Sequence, residues 1–217
     1  MSRMRFAKVD PRYLLFAELY TDLDQPKSKR KAFLILEAAI TCYARKGLST
    51  ATMDMIAREA GVSRTVVLHY FTDTKALREL SVKYIRLLFQ KLAVEAIGEK
   101  TAIDDQLRAY VASCFYWTRN FKTHAVVWLD FLLQCAKDAK LRELNTLASD
   151  TGADRIAALL EAGCGAGVFK ITDVHATAQA VQALIAGALV ASRCQNLEDV
   201  DKYAGTLSEH CLRLAGV

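Results

Sequence analysis

Apolar positions recur at helical spacing along almost the whole chain. Asp10-Pro11 opens a helix with an N-cap residue followed by proline at the first helical position, and Tyr13, Phe16, Tyr20 and Leu23 then repeat every three or four residues. A short helix ahead of Pro26 is predicted, followed by a basic linker holding Lys27, Lys29, Arg30 and Lys31. From Ser28 the face Ile35, Leu36, Ala39, Ile40 and Tyr43 predicts a helix that stops at Gly47. Thr52 offers an N-cap for Met53 to Ala60, with Met53, Ile56, Ala57 and Ala60 turned inward, and Gly61 ends that element. Asp73 or Thr74 starts a longer helix reaching about Ile97. Four or five further helical patterns cover roughly 103–121, 124–136, 140–164, 173–194 and 198–215, separated at Lys122-Thr123, Lys137-Asp138, the run Gly163 to Gly167 and Asn196.

One segment is ambiguous by propensity. Arg64 to Phe71 is rich in β-branched and aromatic residues, which favours a strand. No second strand lies nearby to pair with it, so its backbone groups would stay unsatisfied. Ser63 is a ready N-cap, and Val62, Val67 and Phe71 fit one core face. The segment is therefore read as a short helix held by tertiary contacts.

Composition strengthens the helical reading. The 217 residues include only two prolines, Pro11 and Pro26, and 53% are apolar or aromatic, so the rest of the chain supports long uninterrupted helices. An all-α fold is expected. The net charge of +5 is unevenly spread: residues 1–100 carry 18 Lys/Arg against 11 Asp/Glu, and residues 101–217 carry 11 against 13. The basic half suits a phosphate-rich partner. No secretory pattern opens the chain, because Met1 to Lys8 is basic but charges interrupt the apolar residues that follow. The longest uncharged stretch, Ala176 to Ser192, is shorter than a bilayer span and is expected to be a buried helix. A cytoplasmic protein with no membrane association is expected. The six cysteines are scattered without a Cys-x-x-Cys pair, so they are read as small apolar residues and no metal site is expected; Cys164, between two glycines, is the one candidate sensor thiol.

The constellation that carries function is three helices in series, Ser28 to Lys46, Met53 to Ala60 and Arg64 to Phe71. The last two are joined by Gly61-Val62-Ser63. Glycine supplies the sharp turn, Val62 plugs the angle and Ser63 caps the second helix. This is a helix-turn-helix, whose second helix is short enough to present side chains to a major groove.

Over about residues 29–90 the sequence resembles the tetracycline-repressor-type (TetR) family of bacterial regulators. The resemblance rests on Leu36-Glu-Ala-Ala39, Tyr43-Ala-Arg-Lys-Gly47, Thr52-Met-Asp-Met-Ile-Ala57, Ala60-Gly-Val-Ser63, His69-Tyr-Phe71 and Lys75-Ala-Leu77. Beyond residue 90 only helix number and length correspond. The resemblance implies an N-terminal three-helix helix-turn-helix domain and a C-terminal helical domain for ligand binding and dimerisation. The corresponding division is an N-terminal extension over 1–28, a DNA-binding domain over 29–89 and a regulatory domain over 90–217. It also implies that Thr52 and Lys75 meet phosphates, that Arg64, Thr65 and Val66 follow the Ser63 cap to face base edges, and that His69 and Tyr70 lie against the backbone or groove wall. Two positions depart from the family pattern. Leu68 stands where a tyrosine often contacts DNA, and Lys75 sits one place later than the usual lysine.

By the same resemblance the last two helices pair with their copies in a homodimer. The helix over 173–194 agrees, with Ala178, Val181, Leu184, Ile185, Ala188 and Leu189 beside the small Ala183, Ala186 and Gly187. The middle helices concentrate Phe115, Tyr116, Trp117, Phe121, Trp128 and Phe131 within 17 positions. Trp117, Phe121, His124, Trp128 and Phe131 are the candidate lining of a pocket for a small apolar or aromatic effector. No catalytic motif and no cofactor-binding loop is recognisable. The expected function is a ligand-responsive transcriptional regulator, read as a repressor, binding an inverted repeat in duplex DNA. The competing reading is an all-helical carrier or enzyme that has lost DNA binding.

Overall fold

The computed structural model of the chain describes residues 10–21, 24–195 and 199–217, without the side chains of 147–150. Leu23, the basic opening Met1 to Lys8 and the expected break at Asn196 lie outside the described residues. Within them the structure is all-α, with helices α1 (Pro11–Leu19), α2 (Pro26–Lys46), α3 (Met53–Glu59), α4 (Arg64–Tyr70), α5 (Thr74–Gly98), α6 (Ile103–Asn120), α7 (Lys122–Cys135), α8 (Ala139–Gly165), α9 (Val174–Cys194) and α10 (Val200–Leu214). They form two compact units, one ending at Leu88 and the other beginning at Phe89.

In the first unit the sequence signals act as local chemistry requires. Asp10 caps α1 by accepting from the Arg12 amide at 2.9 Å, with Pro11 at the first helical position. The helix buries Leu15, Phe16 and Tyr20 against its own unit. Phe16 lies 5.6 Å from Phe33 of α2, Tyr20 lies 5.6 Å from Phe71, and Phe33 meets Tyr84 of α5 edge-on at 6.2 Å. An aromatic chain thus runs from α1 through α2 to α5. Burying Phe16 alone contributes about 2–3 kcal/mol. Beneath it the Tyr84 hydroxyl donates to Glu37 Oε1 at 3.1 Å, and burial beside that carboxylate pushes the phenol well above its ordinary pKa.

The basic run expected as a linker is helical. Proline at the first position lets α2 begin at Pro26, so Lys27, Lys29, Arg30 and Lys31 occupy its first turns. Two of them hold α1: Lys29 Nζ donates to the Ala17 carbonyl at 3.2 Å, and the Arg30 guanidinium sits 5.5 Å from the Tyr13 ring centre. Lys27 and Lys31 remain exposed.

The second unit is a bundle in which α10 packs mainly on α6 and α8 mainly on α9. Its core joins Leu107, Val111, Cys114 and Phe115 of α6 to Ile156 and Leu160 of α8, Ala178, Val181, Ile185 and Ala188 of α9, and Leu207 and Cys211 of α10. Two expectations are corrected here. The break between α6 and α7 falls at Phe121 alone, which leaves helical geometry (φ −117, ψ 51) while its amide and carbonyl still bond Trp117 and Ala125. The run Gly163 to Gly167 does not break the chain at its start either, because α8 continues to Gly165 and takes Cys164 with it. Gly163 is there for close approach: a Cβ would lie 2.0 Å from the buried Phe169 ring.

The helix α9 is also corrected. It was expected to be buried; only Ala178, Val181, Ile185 and Ala188 are, whereas Ala183, Leu184, Ala186, Gly187 and Val190 face outward. Among the described residues it is the one helix long and apolar enough to cross a membrane by length and composition. The set read from sequence as a single dimer patch therefore divides between the core of this chain and an open face.

Two outcomes follow from this packing. Gly163→Ala must displace the Phe169 ring and lowers stability by about 1–3 kcal/mol, read from the urea midpoint at unchanged m-value. Burial pushes the Cys114 thiol up to about 12 and the Cys211 thiol to about 11 from the ordinary 9.0. Above about pH 9 unfolded thiols lose protons that the folded chain retains, so stability falls as pH rises through this window and these thiols confer no pH dependence below it. The drop between pH 9 and 11 is smaller in Cys114→Ala, measured by chemical denaturation at each pH.

Candidate nucleic-acid interface and effector chamber

The turn between α3 and α4 is built from three residues. Gly61 takes φ +64, which a side chain would disfavour; Val62 is half-buried, its amide donating to the Ala57 carbonyl at 3.0 Å; Ser63 accepts from the Val66 amide at 3.3 Å. Thr52 caps α3 in the same way, accepting from the Met55 amide at 3.4 Å. Both hydroxyls stay at the surface, with their O–H groups available to a phosphate oxygen.

A seven-residue helix needs outside support, and α4 receives it on one side. Val67 is fully buried and Phe71, its C-cap, is 4% exposed. The Tyr20 hydroxyl of α1 donates to the Tyr70 carbonyl at 2.5 Å, satisfying an acceptor at the open end of the helix. The opposite side is a continuous exposed row of Arg64, Thr65, Leu68 and His69, spaced one and four residues apart as one helical face demands. Val66 and Tyr70 are half-buried at its edges, Tyr70 meeting His69 edge-on at 5.0 Å. Lys75 is exposed in the first turn of α5, whose cap is Asp73 accepting from the Ala76 amide at 2.7 Å.

The Arg64 guanidinium lies 3.4 Å from Asp54 of α3, with the two side chains 60% and 56% exposed. So open a pair holds weakly and yields readily to a stronger acceptor. Leu68 belongs to the same row. Although it stands where the family often has a tyrosine, its spacing of four from Arg64 places it on the same face.

In the second unit, the residues read as a single pocket lining are divided. Trp117 and Trp128 line a cavity of about 70 Å³ between α6, α7 and α9, walled by Ala125, Leu129, Leu132 and Leu189. Phe121, His124 and Phe131 are not among its walls. Phe121 is the half-buried joint, His124 is buried with its ring 5.8 Å from Phe121, and Phe131 backs Trp128 at 5.2 Å. Thr118, Ala186, Val190 and, at the end of α9, Arg193 complete the lining, and Arg193 was not anticipated. It is the only charged residue between Val174 and Cys194, and that isolation was the available signal. The Trp117 Nε1 and Arg193 Nε are buried without a hydrogen-bond partner among the described residues. Leaving a buried donor unpaired costs about 1–3 kcal/mol. Trp117 also packs on Phe89 of α5, ring centres 5.3 Å apart.

Residues 35–79 match the family model described as bacterial regulatory proteins of the tetR family, and residues 104–215 match that of the BetI-type transcriptional repressor C-terminal domain. Among curated proteins, the chain is 32% identical over 117 residues to an HTH-type transcriptional regulator BetI from Burkholderia thailandensis, covering 54% of this chain and 60% of that protein. It is 27% identical over 121 residues to the BetI regulator of Agrobacterium fabrum, covering 56% and 58%. The match thus spans under two thirds of these relatives. Among solved structures, the fold is similar to that of the fatty acid degradation regulator FadR from Bacillus halodurans (TM-score 0.73, 18% identity, 90% of this chain and 98% of that one). It is also similar to a TetR-like transcriptional regulator from Rhodococcus sp. RHA1 (TM-score 0.71, 19% identity, 90% and 100%). With more than half of its length matched by the BetI-type repressor domain and its helix-turn-helix by the N-terminal model, the chain belongs to the TetR family of bacterial transcriptional regulators.

Proposed function

We propose that this regulator is a cytoplasmic homodimeric repressor that binds an inverted-repeat operator and releases it when a small apolar or aromatic effector occupies the second unit. The observation that carries the DNA-binding half is the exposed row Arg64, Thr65, Leu68 and His69 on a capped helix whose other side is anchored. Arg64 reads guanine by a forked contact, and Thr65, with Val66 at the edge, offers methyl groups to thymine. Thr52 and Lys75 hold phosphates that fix register, while His69 and Tyr70 rest on the groove wall. The proposed limits are an extension over 1–28, the DNA-binding domain over 29–89 and the regulatory domain over 90–217. The similarity to BetI-type repressors supports repression over activation.

Dimerisation is assigned to the outward side of α9. Ala183, Leu184, Gly187 and Val190 form an apolar stripe that this chain alone leaves in water, and its small residues allow a second helix close. Effector response is assigned to α5. Its residue Phe89 touches Trp117, so an occupant that shifts this indole acts on the helix that runs back to Lys75. The ligand need only favour one position of that helix to change the spacing of the two reading heads.

Selection from random duplex DNA, followed by footprinting, tests the reading. The expected site is an inverted repeat with half-site centres about one helical turn, roughly 34–36 Å, or a multiple of it apart. Arg64→Ala weakens binding by about 1–3 kcal/mol and relaxes preference at one base pair in each half-site. A uniform loss across all sequences makes Arg64 a phosphate contact instead, and absence of any salt-dependent duplex binding favours the carrier or enzyme reading.

Gly187→Arg tests the interface cleanly, because a Cβ at Gly187 meets nothing within 4 Å in this chain. The variant keeps its helical signal and thermal transition but sediments as a monomer. Unchanged sedimentation places the interface elsewhere.

A further inference from the structure

The cavity between α6, α7 and α9 has a chemical polarity of its own. Among the described residues only three buried side-chain polar atoms lack a partner, and two of them, Trp117 Nε1 and Arg193 Nε, belong to residues lining this cavity. Indole and guanidinium nitrogens are donors only, so whatever satisfies them accepts hydrogen bonds. Arg193 makes no ion pair with any described residue, and the walls other than the two tryptophans and Arg193 carry a single polar side chain, Thr118, whose hydroxyl donates to the Phe115 carbonyl at 2.9 Å and is not bonded to either orphaned nitrogen. Proximity to the end of α9 gives the guanidinium a favourable dipole but leaves its Nε unpaired.

A largely apolar chamber in which one guanidinium nitrogen and one indole nitrogen lack partners calls for a hydrogen-bond acceptor, and the charge of Arg193 favours an anionic one. We infer that the effector is an amphipathic carboxylate, with an aryl or short alkyl body between Trp117, Trp128 and Leu129 and its carboxylate taken by Arg193 and the Trp117 indole N–H. This rests on the proposal that the second unit houses the effector, and it excludes cationic amines as ligands of this chamber. Arginine suits the role because its fork meets a carboxylate through parallel N–H donors. Trp117 would then link the anion to Phe89 of α5, since one ring touches both.

The chain has two tryptophans and both line the chamber, so intrinsic fluorescence reports occupancy without DNA. Phenylacetate and octanoate are titrated into the full-length protein against phenylacetamide and phenethylammonium. At least one carboxylate is expected to change the emission saturably, binding 10-fold or more tighter than the amide, with no saturable response to the ammonium ion. Arg193→Met, which keeps the apolar stem, is expected to weaken the carboxylate by at least 10-fold and leave the amide within 2-fold. Trp117→Phe, read through Trp128, is expected to weaken both. Ammonium binding as tight as carboxylate, no saturable response to either carboxylate, or an Arg193→Met protein with wild-type carboxylate affinity overturns the inference. Loss of the dimer on Arg193→Met without carboxylate binding to the wild type also overturns it, since a second copy then supplies the acceptor. Operator binding is measured separately on the same samples. If carboxylates bind but do not release DNA, the chamber's chemistry stands and the effector role fails; if they do not bind while DNA binding is intact, only the chemistry fails.

Discussion

A seven-residue helix is too short to persist in water by its own hydrogen bonds, and the helix-turn-helix depends on such a helix, α4, being held. The hold on α4 comes from one side only. Val67 and Phe71 sink into the core of the first unit, Ser63 caps the start, and the Tyr20 hydroxyl takes the carbonyl of Tyr70 near the end. The aromatic packing of that unit supports this anchorage. The aromatic chain Phe16, Phe33 and Tyr84 gives α1 a rigid seat, and only from that seat does Tyr20 reach Tyr70. The helix α1, ahead of the helix-turn-helix, is thus a brace for α4 within its own chain. One-sided support is also what leaves Arg64, Thr65, Leu68 and His69 together on the other side.

Much of this was legible because local chemistry and tertiary packing ask for the same residues. The Gly61-Val62-Ser63 turn, the caps Asp10, Thr52, Ser63 and Asp73, and the helical reading of a β-branched segment all appear in the structure as the sequence suggested. The errors fall where one residue type serves two geometries. A run of lysines and arginines after proline reads equally as a linker or a first helical turn, and here contacts to Ala17 and Tyr13 select the helix. Glycines at 163 and 165 read as a break, but Gly163 is inside α8 because Phe169 needs the space of its missing side chain. Aromatic clustering pointed to the helices that enclose a cavity, yet periodicity could not say which of five residues face one another across it. Phe121, His124 and Phe131 pack around the joint and behind Trp128, whereas Trp117 and Trp128 open onto the cavity.

The helix α9 shows why composition alone misplaces a surface. Its apolar residues extend around the whole circumference, which in a single chain means either burial or an unmet partner. Four of them, Ala178, Val181, Ile185 and Ala188, are consumed by the core against α6 and α8. The remainder would be a liability for an isolated molecule. On the proposed dimer, the closed side of α9 is buried within the chain and the open side, where Ala183, Ala186 and Gly187 are small enough for close approach, against a copy of itself.

The same helix carries one charge, and its position links the interface to the chamber. Arg193 follows Val190 by three residues, so it lies on the helix end where the outward stripe and the cavity wall adjoin. A charge at that place is hard to explain by packing, because an apolar residue would fill the wall without leaving a donor unpaired. The half-exposed side chain of Arg193 reaches solvent, but its shielded Nε stays without a partner. The guanidinium makes sense when the chamber is occupied by something that returns its hydrogen bonds. On the proposed reading, an occupant that pairs these donors better in one position of the Trp117 ring than in another would bias α5 through Phe89 by that difference in affinity alone.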